Sequence, residues 1–280
     1  MEDTCRRAAE IGLPALAFTE HADFTLWSLP PGQEVPDDMR HLVSEDVLTP
    51  PPLDLDGYRD CLQRCRELFP GLRILSGVEL GEPHWHAEPV AALLGEGGFD
   101  RVLASVHSSP ADDGFGVGGI GGFTEISVVL RSRDPAAVLR GYLAETAELI
   151  SRFAAFDVLA HIDYPVRYWP RQAGPCDPYD FEEEYRHVLQ TLADADKALE
   201  INTEVPLHPE ILAWWRDQGG QAITFASDAH EPAVLAAGFA DAARMADAAG
   251  FTVGSDPWGF WCRKTVAGQG WRPSQAASSA

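Results

Sequence analysis

Short apolar runs alternate with amphipathic stretches along most of the chain. Runs with the length of buried strands lie at 15–19, 72–78, 101–106, 158–160, 198–201 and 222–226. Apolar residues recur at helical spacing over 2–11, 56–69, 88–96, 135–154, 180–194, 208–217 and 232–249. A regular alternation of strands and helices predicts a parallel sheet covered by helices, which is an α/β fold.

The length allows this pattern to form one domain. The chain has 280 residues, 45% of them hydrophobic, which is enough for a large core. Barrels of alternating strands and helices often reach this length as single domains. We therefore predict one domain over 1–271, followed by a disordered tail over 272–280 with the sequence RPSQAASSA.

The net charge of the chain limits the classes of molecule that it is expected to bind. The formal net charge is −22 and the sequence pI is about 4.6. Nucleic-acid binding requires a basic face that neutralises phosphates, and an anionic membrane surface also attracts basic proteins. We therefore expect neither partner, and we assign most of the acidic residues to a well-solvated surface.

The cysteines and the apolar runs indicate the compartment. The five cysteines are odd in number and include no CxxC pair, so we expect free thiols that pack as small hydrophobic side chains. No apolar run is long enough to span a membrane, and residues 1–30 show no signal-peptide pattern. These features predict a reduced, cytoplasmic protein.

Five of the six predicted strands end in residues that can bind a metal ion. A single histidine at such a position is more often structural than a ligand, but a repeated pattern is hard to attribute to chance. In a closed α/β barrel the functional residues come from the C-terminal ends of several strands. The candidate ligands are His21, Glu79, His107, His161, Asp228 and His230.

Imidazole and carboxylate ligands favour Zn, Mn or Fe(II) over Mg or Ca. The set is too large for one tetrahedral ion, so two or three ions that share a carboxylate are expected. Ions arranged in this way generate hydroxide at neutral pH and stabilise both oxygens of an in-line displacement. This chemistry suits phosphoester hydrolysis, and it leaves amide or lactone hydrolysis open.

The motifs at these strand ends resemble those of the PHP (polymerase and histidinol phosphatase) family, and most closely its histidinol-phosphatase branch. They are TEH (19–21), GVELGE (77–82), SVH (105–107), AHID (160–163), LEIN (199–202) and SDAH (227–230). The resemblance implies that 1–271 is a single PHP-type hydrolase domain with a distorted (βα)7 TIM-like barrel. It also implies a trinuclear metal site and phosphatase activity on a small phosphomonoester, with histidinol phosphate as the first substrate to test.

The resemblance also implies a role for each candidate ligand. Glu79 would bridge two metal ions, and His107 and His161 would complete the coordination of one of them. Asp228 would bind the second ion, and His21 and His230 the third. Asp228 and His230 are thereby also placed among the catalytic residues.

Two further residues are candidates for substrate binding. Arg167 follows His161 by six residues and would bind the substrate phosphate through two hydrogen bonds, or it is an ordinary surface arginine. Asn202 would contact the substrate, or it caps the turn that follows its strand, which is the more common role of such an asparagine.

Members of the family open with a strand that carries an HxH motif, whereas this chain begins within the helix that follows such a strand. Six strands are therefore expected where the family has seven. Either Met1 is an internal residue of a longer protein, or the barrel has an open seam and an incomplete metal site. The first explanation is favoured because an open seam exposes unpaired strand edges. His84 and His86 form an HxH motif, for which we favour a loop role over replacement of the lost ligands.

Other functions remain open beside the phosphomonoesterase. PHP-type phosphodiester cleavage is one of them, although the acidic charge disfavours it, and a truncated pseudoenzyme with a partial metal site is another. The GxGxxG pattern at 116–121 lacks the strand–helix context of a dinucleotide site, so we interpret it as a loop near the active site. The sequence predicts no particular oligomeric state.

Overall fold

Strands and helices alternate in the computed structural model, which describes residues 1–30, 32–35, 37, 39–110, 122–254, 256, 259–263 and 271. The helices are α1 (Glu2–Glu10), α2 (Leu55–Leu68), α3 (Ala87–Gly97), α4 (Ile126–Val129), α5 (Pro135–Arg152), α6 (Glu182–Asp194), α7 (Pro209–Asp217) and α8 (Phe239–Ala248). The strands are β1 (Ala15–Asp23), β2 (Trp27–Ser28), β3 (Val43–Ser44), β4 (Val47–Leu48), β5 (Arg73–Gly81), β6 (Arg101–Ser105), β7 (Ser108–Pro110), β8 (Phe123–Glu125), β9 (Val158–Leu159), β10 (Ala198–Asn202), β11 (Ala222–Ala226), β12 (Phe251–Val253) and β13 (Trp261–Arg263). The 116–121 glycine pattern and the 272–280 tail lie outside the described residues.

The main sheet confirms the predicted parallel arrangement. Its order is β1-β5-β6-β9-β10-β11-β13-β12, and the first six strands in this order run parallel. These six are the strands that the apolar runs predict. Strand β13 pairs antiparallel with β11, and β12 pairs antiparallel with β13 at the edge of the sheet. The sheet therefore brings the C-terminal ends of all six parallel strands to one side of the molecule.

The sheet is open among the described residues. Among the described strands, β1 pairs only with β5, in a register that places His21 opposite Glu79 and Asp23 opposite Gly81. Strand β11 pairs with β10 and, over Ala222 and Ile223, with β13. No described strand joins β1 to β11, so the parallel strands form an arc rather than a closed barrel.

A second, smaller sheet lies beside the first and was not predicted. Its order is β3-β4-β2-β8-β7. It brings Trp27 opposite Phe123, and the Trp27 indole N–H donates to the Ser108 hydroxyl at 2.8 Å. This sheet therefore borders the turn that follows β6.

Local signals in the sequence explain most helix boundaries, with one exception. Helix α5 begins with Pro135 after Asp134, whose side chain accepts a hydrogen bond from the Ala137 amide at 2.9 Å. The predicted helix over 232–249 is wrong in its first half. A short 3-10 turn occupies Pro232–Val234, and α8 begins only after its N-cap Gly238, which is in the left-handed region (φ 78°).

The largest core lies between the sheet and helices α5, α6 and α7. The side chains of Leu139, Leu143, Leu189 and Trp215 are completely buried there. A smaller core between α1, α2 and β5 contains the buried Cys5 and Cys65. All five cysteines are free thiols, as predicted. No helix in the described part of the chain is both long and apolar enough to cross a membrane.

Candidate metal centre

Three of the predicted ligands meet at the C-terminal ends of β5, β6 and β9. Glu79 Oε1 lies 2.9 Å from His161 Nε2 and 3.2 Å from His107 Nε2. The two Nε2 atoms are 3.4 Å apart. All three side chains are buried, with at most 7% of any of them exposed. We call these three residues the Glu79 cluster.

The charged neighbours of Glu79 and His107 shift the pKa values of both side chains. Burial alone would raise the pKa of Glu79, but hydrogen bonds and charge from His107 and His161 lower it well below its usual range. Burial alone would lower the pKa of His107, but Asp23 and Glu79 raise it well above its usual range. The pocket is therefore arranged for an ionised carboxylate that faces positive charge.

The donor set of the Glu79 cluster fits a divalent metal ion. Two imidazole nitrogens and one carboxylate oxygen converge within a buried space, and these are the ligand types of catalytic zinc sites with an open coordination position. Within the described residues the ligand atoms form one such group here and a second one at His21, Asp23 and His107.

Asp23 belongs to the site, although the sequence reasoning missed it. Its Oδ1 lies 3.6 Å from His107 Nδ1, and its Oδ2 lies 3.5 Å from His21 Nδ1. Burial alone would raise the pKa of Asp23, but His107 and His21 lower it below its usual range. A side chain on Gly81 would collide with Asp23, because a Cβ there would lie 2.0 Å from Oδ1. The sequence did contain a signal for Asp23, because it follows His21 by two residues and residues two apart on a strand face the same side.

Asp228 and His230 lie nearby but outside both ligand groups. The Asp228 carboxylate forms an ion pair with Arg167, with Oδ2 2.7 Å from Nη2, and the Asp228 backbone is left-handed with φ 51°. The His230 ring stacks on the His21 ring with centroids 5.9 Å apart. The predicted second and third metal ions, which depend on Asp228, His21 and His230, therefore stay predictions.

Arg167 is not an ordinary surface residue. Only 9% of its side chain is exposed, and its Nη1 lies 2.6 Å from Glu204 Oε2. Its guanidinium also lies over the ring of Tyr164, 5.1 Å from the centroid. Arg167 thus presents a buried positive charge at the strand ends, next to Asp228.

Asn202 has the capping geometry that sequence reasoning favoured. Its Oδ1 accepts from the Glu204 amide at 3.0 Å, and its Nδ2 donates to Glu200 Oε1 at 2.9 Å. Glu200, which sequence reasoning left without a role, also accepts from the His161 amide at 3.1 Å. Burial raises the pKa of Glu200 to about 7. Glu200 lies in the middle of an apolar strand, so residue type alone gave no sign of it.

His84 lies in a short 3-10 turn (Pro83–Trp85) and His86 precedes α3, both in the connection that follows β5. His84 Nε2 lies 2.7 Å from Glu145 Oε1, and His86 Nε2 lies 2.8 Å from the Thr25 hydroxyl. Neither residue is part of a metal-competent group among the described residues. Their contacts agree with the loop role that the sequence favoured.

A cavity of about 490 Å³ opens beside the Glu79 cluster. It runs between β1 and β11, where the sheet is open. Glu79, His161, Asn202, Asp228 and His230 line one end of it, and apolar side chains line the other. The ligand residues therefore border a space of the size of a small polar molecule.

Comparison with known proteins agrees with this geometry. The family model described as "PHP domain" matches residues 1–204. The chain belongs to the PHP domain family. Similar curated proteins include the histidinol-phosphatase of Lactococcus lactis, 26% identical over 227 residues, which cover 78% of this chain and 74% of that protein. The probable histidinol-phosphatase of Deinococcus radiodurans is 26% identical over 259 residues, which cover 88% and 86% of the two chains.

Solved structures of PHP-family proteins share the fold. The histidinol phosphate phosphatase of Lactococcus lactis, solved with zinc, L-histidinol and phosphate, aligns with a TM-score of 0.69 and 22% identity, covering 89% of this chain and 87% of that one. The histidinol phosphatase from Listeria monocytogenes, described as putative in its structure, aligns with a TM-score of 0.64 and 16% identity. The mixed α/β architecture of this family, with a TIM-like parallel sheet, is thus confirmed.

Proposed function

We propose that this PHP protein is a metal-dependent phosphatase that hydrolyses a small phosphomonoester of the histidinol phosphate type. The observation that carries the proposal is the Glu79 cluster, which gathers two imidazoles and a carboxylate at the strand ends. The names of the curated relatives supply the substrate, and the Lactococcus structure contains zinc together with L-histidinol and phosphate. We take residues 1–271 as the single domain that carries this activity.

Each residue of the site has a distinct proposed role. Glu79, His107 and His161 would hold a zinc, manganese or iron ion, which supplies an activated water when bound. Asp23 would orient the His107 ring from its second nitrogen, as carboxylates commonly do for metal-binding histidines. Arg167 would bind the substrate phosphate, and Asn202 would border it. Asp228, His21 and His230 would complete a site of two or three ions.

The decisive experiment is a phosphatase assay on the purified protein. With zinc, manganese or Fe(II) supplied, we expect phosphate release from histidinol phosphate, and Glu79→Gln should reduce kcat/KM at least about 100-fold because it removes an anionic ligand. Glu183→Gln, at an exposed position on α6, is the matched control and should leave turnover unchanged. The proposal is wrong if the metal-loaded protein releases phosphate from no member of a phosphomonoester panel.

The same preparation tests the alternative of a partial site. Asp228 is paired with Arg167 rather than grouped with other ligands, which favours fewer bound ions than three. Elemental analysis that finds at most one ion per chain, together with no turnover, would support the pseudoenzyme.

A further inference from the structure

One buried carboxylate, that of Glu82, links the C-terminal ends of β1, β5 and β6. Glu82 Oε1 accepts hydrogen bonds from the amides of His107 and Ser108, at 2.5 and 2.8 Å. Its Oε2 accepts from the Thr25 hydroxyl at 2.8 Å. Thr25 follows β1, Glu82 follows β5 and His107 follows β6. Glu82 and Thr25 are both fully buried.

The strained backbone of Glu82 helps to direct its side chain toward the His107 and Ser108 amides. Its φ of 45° and ψ of 50° place a non-glycine residue in the left-handed region. Such conformations persist where surrounding contacts fix them, and they cluster at functional sites. The Glu82 amide donates to the Ser105 carbonyl at 2.9 Å, which fixes the turn to the end of β6. The side chain is thereby directed under the His107 backbone.

The chemistry of the three donors explains why a carboxylate is used. Two consecutive amides and one hydroxyl all need an acceptor, and an ionised carboxylate has only acceptors. The Thr25 hydroxyl also lies 2.8 Å from His86 Nε2. A glutamine at 82 could therefore keep the amide bonds through its oxygen and donate to Thr25, whose hydroxyl would turn toward His86. An apolar side chain would leave two buried amides without a partner.

We propose that Glu82 is a positioning residue that fixes the His107 backbone, so that the His107 ring presents Nε2 to the ligand position beside Glu79. This inference rests on the metal centre of the proposed function but not on its substrate. The ring is held on one side by Glu79, at 3.2 Å, and approached on the other by Asp23, at 3.6 Å. A backbone shift at His107 would disturb both contacts.

The test compares Glu82→Met and Glu82→Gln with Asp157→Asn. Asp157 is the matched control because its carboxylate accepts from the Val102 amide, at 2.9 Å, at the opposite end of β6. Cobalt(II) affinity and the visible spectrum of the bound cobalt report the ligand geometry. We expect Glu82→Met to weaken cobalt binding about 10–100-fold with an altered spectrum, while Glu82→Gln stays within a few-fold of wild type. Asp157→Asn should leave affinity and spectrum unchanged.

A second measurement needs neither metal nor turnover. The ring nitrogen resonances of His107 in the metal-free protein should move in Glu82→Met and stay in place in Asp157→Asn. Unchanged ring resonances, or unchanged cobalt affinity and spectrum in Glu82→Met, would overturn the inference even if the phosphatase assay succeeds. If Glu82→Met does not fold, Thr25→Val removes the hydrogen bond to Glu82 Oε2 and the contact with His86 but keeps both amide bonds to Oε1, and it should shift the same resonances to a smaller extent.

Discussion

Three carboxylates act on His107 from three directions. Glu79 faces Nε2, Asp23 faces Nδ1 and Glu82 accepts from the backbone amide. An imidazole that binds a metal ion needs a fixed tautomer and a fixed orientation. Each of the three carboxylates constrains the tautomer or the orientation of His107. We therefore expect substitutions at the three acids to be non-additive, since they share one ring.

Asp163 provides a pH-dependent prediction at the same scale. It is 7% exposed, and burial raises its pKa from an ordinary 3.8 to about 6. The folded state binds the Asp163 proton more tightly than the unfolded state does, so this proton contributes to the free energy of unfolding. The contribution is complete below pH 3.8 and is lost as the pH rises through 6. Asp163→Asn should therefore be more stable than wild type by about 3 kcal/mol above pH 7.

Urea unfolding of both proteins from pH 4 to pH 8 checks this prediction. The difference in free energy of unfolding should be small near pH 4 and should grow up to about pH 7. A difference that does not depend on pH would show that Asp163 acts through packing rather than ionisation.

Residue type and position at a strand end were enough to predict Glu79, His107 and His161 as candidate ligands, and the family resemblance implied that they share one ion. Asp23, Glu82 and Glu200 were not predicted, because their roles depend on strand register and on the path of a turn. Glu82 and Glu200 bind backbone amides of other segments, and a sequence pattern does not reveal such pairs. The ion pairs of Arg167 with Glu204 and Asp228 were not predicted for the same reason.

At the scale of elements, the pairing of β1 with β5 depends on a glycine. A Cβ on Gly77 would lie 2.7 Å from Thr19 Cγ2 and 2.8 Å from the Phe18 carbonyl oxygen, so the two strands would have to move apart. Gly77→Ala should lower the free energy of unfolding by about 1–3 kcal/mol. Gly95→Ala is the control, since Gly95 lies in helix α3 with open space around it and alanine should stabilise the helix by about 0.5–1 kcal/mol.

Equilibrium denaturation of the two glycine variants measures both effects. Equal stability of Gly77→Ala and wild type would mean that β1 accommodates the methyl group by shifting, and that the close approach to β5 is not required.

The elements that sequence predicted well were those with a clear period or a run of apolar residues. The six parallel strands and seven of the helices follow from this signal, although the helix over 232–249 begins later than its pattern suggested. The strands of the second sheet are two or three residues long, and β2 pairs with β8 across almost a hundred residues of sequence. Such short segments carry no measurable period, so pairing alone defines them.

At the scale of the whole molecule, metal binding should stabilise the fold. Ligands from β5, β6 and β9 converge on the Glu79 cluster, so an ion bound there links three strands of the sheet. Zinc at about 100 times its Kd should add about 2.7 kcal/mol, which raises Tm by roughly 5–10 °C. Thermal unfolding with and without a chelator measures the shift, and Glu79→Gln should abolish it. An equal shift in both proteins would place the stabilising zinc elsewhere.

The strand order of the main sheet has a consequence for how the protein forms during synthesis. From β1 through β5, β6, β9 and β10 to β11, neighbours in space are also consecutive parallel strands of the main sheet along the chain. The parallel sheet can therefore grow one strand at a time as the polypeptide leaves the ribosome, N-terminal strands first. By residue 161 all three members of the Glu79 cluster have been synthesised, whereas Asp228 and His230 emerge much later. The order of synthesis thus completes the Glu79 cluster in the nascent chain long before Asp228 and His230 are added.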